Sequence, residues 1–461
     1  MAQMIRCISP VDGSVYAERP ALGDSDVQKV VSRARKGQRD WARRSLAERI
    51  ALVQDGIRRL GEADAEAVPE LAWMMGRPVR YGGEFRGVNE RSTYMAGIAE
   101  AVLKPTVVEA GEVFERRLVR EPLGVGFVIA PWNYPYMTAI NSVVPALIAG
   151  NAVILKPSSQ TPLVGERLER AFREAGVPGE VFQNAYLSHE TTLGMISARS
   201  VDFVNFTGSV GAGRLIEGAA AGTFLPVGLE LGGKDGAYVR ADADLDGAVA
   251  GLMDAAMYNS GQSCCGIERI YVAEALFDEF VAKSVELVSG YVLGSPLDEE
   301  TSIGPMAHRR FADVARKHIS EAVADGARGL VDPALFAADD GKSAYLAPQI
   351  LVDVNHSMTV MVEETFGPVV GIMPVKDDGE AIRLINDSVY GLTASIWTSD
   401  ADAAAALGSE LEVGTVFMNR ADYVDPGLCW SGCKNTGKGG TLSEIGYYNV
   451  TRPKSYHLKK G

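Results

Sequence analysis

The chain has 461 residues, 47% hydrophobic and 23% charged, with 45 Lys+Arg against 59 Asp+Glu and a formal net charge of −14. These fractions exclude a disordered or fibrous chain, and an acidic balance with no basic block argues against a nucleic-acid partner. The chain carries no apolar run of the about 18–20 residues a membrane span needs, no signal-peptide core in MAQMIRCISPVDG, and too few cysteines, five, for a disulfide framework. The expectation is a cytoplasmic enzyme with no membrane and no nucleic-acid partner.

In chain order, residues 24–60 are expected to be helical, because Val27, Val30, Val31, Ala34, Trp41, Ile50, Val53 and Ile57 recur near a 3.6-residue period. Residues 107–120, VVEAGEVFERRLVR, alternate apolar and charged groups around Gly111 and predict an exposed β-hairpin. From 124 to 231 short apolar runs follow one another: GVGFVIA, NAVILKP, VDFVNF and FLPVGLEL. A helical stretch, VGERLERAFREAG, lies between the second and third and ends at a glycine suited to a C-cap. Strands alternating with helices predict a parallel sheet covered on both faces. Beyond Gly232–Gly233 the alternation resumes with IERIYV, VVGIMPV, ASIWT and VGTVFMN, which predicts a second α/β domain. The basic tail NVTRPKSYHLKK is strand-like and is expected to pair with a sheet edge of another subunit.

Several familiar motifs fail. GLELGGKD and GCKNTGKG satisfy Gly-x4-Gly-Lys, yet Asp235 and Gly439 stand where a P-loop needs the Ser or Thr that holds magnesium. GAGRLI carries Gly211 and Gly213 but Ile216 in place of the third glycine of the dinucleotide fingerprint. His189, His308, His318, His356 and His457 are scattered, so no metal site is expected.

The chemistry is expected in three places. Cys264 lies in the small-residue segment NSGQSCCG, Glu230 closes an apolar strand before Leu-Gly-Gly, and Asn133 sits in APWNYP, just after GVGFVIA. Alone, each has an ordinary explanation: a structural thiol, a solvated strand-end acid, a turn amide. Together they supply a thiol nucleophile, a carboxylate base and an amide donor.

At this point the sequence resembles the aldehyde dehydrogenase superfamily over nearly its whole length. The likeness runs through Pro131–Asn133, Leu155–Ser158, Phe206–Ser209, Glu230–Lys234, Gly261–Cys264 and Glu363–Val369, with 34 residues from Glu230 to Cys264. It implies two Rossmann-like α/β domains and a small β oligomerisation element. Residues 1–104 and 122–231 would bind NAD or NADP, 232–446 would carry the nucleophile, and 105–121 with 447–461 would pair subunits of a homodimer or homotetramer. The resemblance implies that Cys264 attacks a small-molecule aldehyde, that Asn133 and the Cys264 N–H hold the oxyanion, and that Glu230 activates the water that releases an acid. Cys265 is expected to pack beside the nucleophile. For the cofactor it implies Trp132, Lys156, Ser159, Gly208, Ser209, Gly213, Leu231, Glu364 and Phe366. Ser159 stands where many NAD-preferring members carry a glutamate, so use of both cofactors is expected.

Two departures from the family pattern stand near the C-terminus. Thr441 replaces an auxiliary carboxylate found in some members, and Cys429-Trp430-Ser431-Gly432 replaces a proline-aromatic-glycine-glycine run. The substrate pocket is expected from Tyr134, Tyr136, Tyr423 and Trp430, with Asp422 and Asp425 adding attraction for an amine. The substrate would be an aromatic aldehyde, an aminoaldehyde or a semialdehyde. The alternatives are a CoA-acylating member, against which Glu230 argues, and a catalytically silent relative.

Overall fold

Two parallel sheets, each sandwiched by helices, organise the chain in a computed structural model that describes residues 3–460. The first sheet has the strand order Gly437–Lys438, Val227–Glu230, Phe203–Thr207, Val125–Ile129, Ala152–Lys156, Phe182–Asn184. All its pairs are parallel except the edge pair of Gly437–Lys438 with Val227–Glu230. The chain builds outward from Val125–Ile129 to one side and then returns to fill the other. The connections therefore reverse between Val125–Ile129 and Phe203–Thr207, and a crevice opens at their carboxyl ends. The loops bearing Asn133 and Gly208–Ser209 leave those two strands.

The second sheet has seven strands, in the order Arg328–Gly329, Gln349–Val352, Val369–Val375, Ile267–Ala273, Asp235–Val239, Thr393–Trp397, Thr415–Met418. Strands Asp235–Val239 and Ile267–Ala273 are buried at every position, including Asp235, Glu268 and Arg269, whose charged groups find partners inside the fold. The two sheets meet at Leu231–Lys234, and Cys264 lies on the approach to Ile267–Ala273.

The helical stretch at 24–60 is two helices, Asp24–Ala42 and Leu46–Glu62. They part at Ser45, whose side chain accepts from Glu48 N while the Glu48 carboxylate accepts from Ser45 N. This capping box starts the second helix afresh. The hairpin forms as Thr106–Ala110 and Phe114–Pro122. The tail departs from expectation. Thr451–Lys459 pairs antiparallel with Phe114–Pro122 of its own chain over nine residue pairs, making a three-stranded sheet. Its alternating polar pattern fits a two-sided exposed strand, and the neighbouring hairpin offered a partner within the same chain.

The two segments that imitate P-loops turn out to face each other. Gly437 pairs with Glu230 and Lys438 with Leu229, so both are ladder strands rather than phosphate cradles. No helix among the described residues is long and apolar enough to cross a membrane. Among the described residues no cluster of three or more His, Cys, Asp or Glu side chains could hold a metal ion.

Candidate active site

A cavity of about 680 Å³ runs between the two sheets. Asn133, Glu230 and Cys264 all line it. So do Trp132, Lys156, Ser159, Gly208, Ser209, Leu231, Glu364 and Phe366, together with Tyr134, Tyr423 and Trp430.

Cys264 reaches the cavity through a contorted turn. Asn259, Ser260 and Gly261 all have left-handed backbone, with φ of 53°, 58° and 69°. A side chain at Gly261 would meet the Gly367 carbonyl at 2.2 Å, so only glycine fits there. The turn is held by side-chain amides. Gln262 Nε2 donates to Asn259 O at 2.9 Å, and Gln262 Oε1 accepts from Ala307 N at 2.8 Å. The next residue, Cys265, is buried, and its thiol donates to Asp422 Oδ1 at 2.9 Å. The hydrogen bond with the neighbouring Cys264, burial and the Asp422 carboxylate together hold the Cys265 thiol well above the usual thiol range. That keeps it protonated, while Cys264 faces the open space.

Asn133 is 7% exposed and its Nδ2 donates to Gln262 O at 3.1 Å. The amide has a second hydrogen for a ligand oxygen. Its loop is fixed by a buried ion pair that the sequence did not announce. Arg77 bonds Glu84 at 2.8 Å and donates to the Asn133 carbonyl, with its guanidinium 4.7 Å from the Tyr134 ring centroid. Glu84 in turn accepts from Tyr136 N and Met137 N at 3.0 and 2.8 Å, which caps the helix Pro135–Ala149. A carboxylate at a helix N-terminus satisfies orphan N–H groups and suits the dipole.

Glu230 accepts from Thr207 Oγ1 at 2.9 Å and from Thr441 Oγ1. Desolvation pushes its carboxyl above the ordinary range, while the two hydroxyls and Arg91 pull the other way. Thr441, at the position of the family's auxiliary carboxylate, is thus a direct partner of Glu230. Its backbone pairs reciprocally with Trp430 at 2.9 Å, which brings that indole to the cavity wall.

At the other end, Ser209 caps the helix Val210–Ala220, its Oγ accepting from Ala212 N. Gly208 N donates to the Glu230 carbonyl at 3.1 Å. Trp132 stacks on Phe311 at 5.2 Å and meets Phe366 edge-on at 5.6 Å, forming an apolar wall. Phe366 has φ of 52°, a conformation a bulky residue keeps only when its surroundings hold it. Glu268 does this by accepting from Thr365 N and Phe366 N at 2.8 and 2.9 Å, with Lys234 as its buried counter-ion. Beside them Glu364 accepts from Gly233 N at 3.1 Å, and burial with the nearby Glu268 raises its carboxyl to about 8.

Three expected residues are elsewhere. Tyr136 does not line the cavity but is packed, 3% exposed, in the core beside Pro135–Ala149. The helix begins at Pro135, so Tyr134 and Tyr136 lie on different sides of its first turn. Gly213 is likewise absent from the lining. A side chain there would meet Leu231 at 2.6 Å, so this glycine serves the close approach of helix to strand. Asp425 lies outside the lining, whereas Asp422, Asp254, Glu90 and Arg91 belong to it. Arg91 and Glu268 carry no motif. Their only signal is a charge on a helix or strand face that proves to be inward.

The family model described as "Aldehyde dehydrogenase family" matches residues 1–456. The 4,4'-diapolycopene aldehyde oxidase of Methylomonas sp is 35% identical, over 98% of this chain and 85% of that protein. Among solved structures, an NADP-dependent enzyme of E. coli superposes with a TM-score of 0.94 at 27% identity, covering 99% of this chain and 95% of the other. An NAD-dependent aldehyde dehydrogenase from Sinorhizobium meliloti gives 0.94 at 31%, covering 99% and 92%. The chain belongs to the aldehyde dehydrogenase family, a class of oxidoreductases that oxidise aldehydes with NAD or NADP.

Proposed function

We propose that this enzyme oxidises its aldehyde to the free carboxylic acid, with water rather than CoA releasing the acyl group. The observation that carries this reading is Glu230, held in the cavity wall by Thr207 and Thr441 with its carboxyl raised toward the range a general base needs.

Cys264, as thiolate, adds to the aldehyde carbon, and the resulting oxyanion takes hydrogen bonds from the free Asn133 N–H and the Cys264 backbone. Removing one such donor typically costs about 3–4 kcal/mol of barrier. NAD or NADP, when bound, supplies the hydride acceptor that takes the thiohemiacetal to a thioester on Cys264. Glu230 then takes a proton from water as it attacks the thioester carbonyl, and the Cys264 thiolate leaves.

The cavity fits such a cofactor. Gly208 and Ser209 present a capped helix N-terminus suited to a pyrophosphate. Trp132, Phe311 and Phe366 form an aromatic wall for a planar ring, and Glu364 offers a carboxyl to a ribose. Ser159 is exposed beside Lys156 and puts no carboxylate against a 2′-phosphate, which supports use of both cofactors. The fold supports residues 1–104 with 122–231 as the cofactor domain and 232–446 as the catalytic one. The three-stranded sheet is the proposed contact of a homodimer or homotetramer.

The test is acid formation from a short aldehyde with either cofactor and no CoA. Cys264→Ala should abolish it and Cys265→Ala should keep most of it. Glu230→Gln should give a burst of reduced cofactor followed by a depressed steady rate. Strict dependence on CoA would overturn this reading.

A further inference from the structure

Arg91 is the one cation in the wall of this cavity near Cys264 and Glu230 that the mechanism above leaves without a task. It projects from the helix Phe85–Leu103 into the cavity that Glu230, Cys264 and Cys265 also line, with Glu84 its strongest charged neighbour. Its hydrogen bonds among the described residues are weak and use a single nitrogen. Nη1 donates to Met137 O at 3.3 Å and to Asn141 Oδ1 at 3.2 Å. Nε and Nη2 have no protein partner among the described residues.

Four of the carboxyl groups around this part of the cavity are engaged elsewhere, while Asp254, also in the lining, has no side-chain hydrogen bond among the described residues. Glu84 pairs with Arg77. Glu230 accepts from two threonine hydroxyls. Asp422 Oδ1 accepts from Ser263 and Cys265, both at 2.9 Å. Glu90, further out, accepts from the Tyr423 hydroxyl. Arg91 is partly buried, and its unpartnered Nε and Nη2 stay open to the cavity, where an anion would complete them. Burial does press this guanidinium below its usual range. The side Nε–Nη2 edge is a planar two-donor fork, which matches the two oxygens of a carboxylate.

We propose that Arg91 is a specificity residue that binds an anionic carboxylate on the substrate, so that the physiological aldehyde is a short ω-oxo acid, a semialdehyde. Arg91 lines the same cavity as Cys264 and Glu230, so a single short substrate can meet both the nucleophile and the guanidinium. The proposal rests on the aldehyde-oxidising reading above and narrows it to one substrate class. It also sets aside the cationic-tail expectation: Asp422 is already hydrogen-bonded, whereas Arg91 would repel an amine.

The experiment compares three four-carbon aldehydes of equal reach: 4-oxobutanoate, butanal and 4-aminobutanal. The wild-type enzyme should show kcat/KM for 4-oxobutanoate at least about tenfold above butanal, with 4-aminobutanal lowest. Arg91→Gln should shrink the ratio of 4-oxobutanoate to butanal by about tenfold or more, mainly through KM. Arg91→Lys, which keeps the charge but not the fork, should recover part of that ratio. Succinate should inhibit butanal oxidation in the wild type and much less in either variant, a readout that survives if one variant folds poorly. Preference for 4-aminobutanal, or equal losses on all three substrates in Arg91→Gln, would overturn the proposal. Failure to oxidise any of the three would instead strike at the proposed reaction.

Discussion

Glu230 shows how one residue's chemistry is set by groups far away in sequence. Its two hydroxyl partners come from Thr207, at the end of a neighbouring strand, and from Thr441, more than two hundred residues on. Both favour the ionised form, against a desolvation that favours the acid. A hydrogen bond to a charged group is worth about 1.5–3 kcal/mol, equivalent to about one or two pH units. Thr441→Val keeps the shape and the backbone pairing to Trp430 but removes the donor, so the carboxyl should rise further. With Glu230 acting as carboxylate in the proposed deacylation, the acid limb of kcat should move to higher pH by about one unit, with little change well above it. A limb that stays in place would show that Thr441 does not hold Glu230. Thr441 was legible in the sequence as a departure from the family, but its function was not, because only the fold brings its strand edge against Glu230. Cys264, Asn133 and Glu230 were legible because each sits inside a motif whose neighbours are equally constrained. Arg91, Glu84 and Glu268 were not. A charge on a helix reads as solvated until packing shows which face is turned inward.

At the scale of elements, strands of the first large sheet were readable because buried parallel strands are near-continuous apolar runs, as in Val125–Ile129 and Ala152–Lys156. The N-terminal hairpin Met4–Ile8 with Val15–Pro20 went unseen, since its short strands mix polar and apolar residues without a clean period. The C-terminal strand was recognised but its partner was not, because a pairing across more than three hundred residues leaves no local trace. Its consequence is an intact three-stranded sheet with both outer edges open: Thr106–Ala110 on one side and Thr451–Lys459 on the other. Val107, Val108, Val113 and Leu118 are exposed on it, at 61%, 58%, 55% and 41%. A sheet with free edges and a patch of exposed valines is a ready surface for a second subunit. Replacing Val107 and Val108 together with aspartate should therefore shift the protein toward monomer in sedimentation velocity, with its circular dichroism unchanged. An unaltered assembly would exclude this strand from the contact.

Across the whole molecule, the acidic surplus does not stay at the surface. Asp235 stands at the start of an inner strand of the second sheet, 2% exposed, and ties it to the next strand by accepting from Thr393 N at 3.1 Å and Thr393 Oγ1 at 2.6 Å. Burial dominates there and raises its carboxyl to about 8, well above the ordinary aspartate value of 3.8. The sign follows directly. Between about pH 4 and 8 the folded protein holds a proton on Asp235 that the unfolded chain has released, so stability must fall as pH rises through this window. One such proton gives a slope of up to about 1.4 kcal/mol per pH unit. Glu364, also raised to about 8 by burial, acts in the same direction, so the wild-type slope contains both groups. Asp235→Asn removes one of them while keeping an oxygen to accept from Thr393 N. Urea midpoints measured at pH 6, 7.5 and 9 should therefore decline less steeply in the variant, which should overtake the wild type at the alkaline end. Parallel declines would mean that Asp235 carries no proton in the folded state, and that the junction of these two inner strands tolerates a buried negative charge at neutral pH.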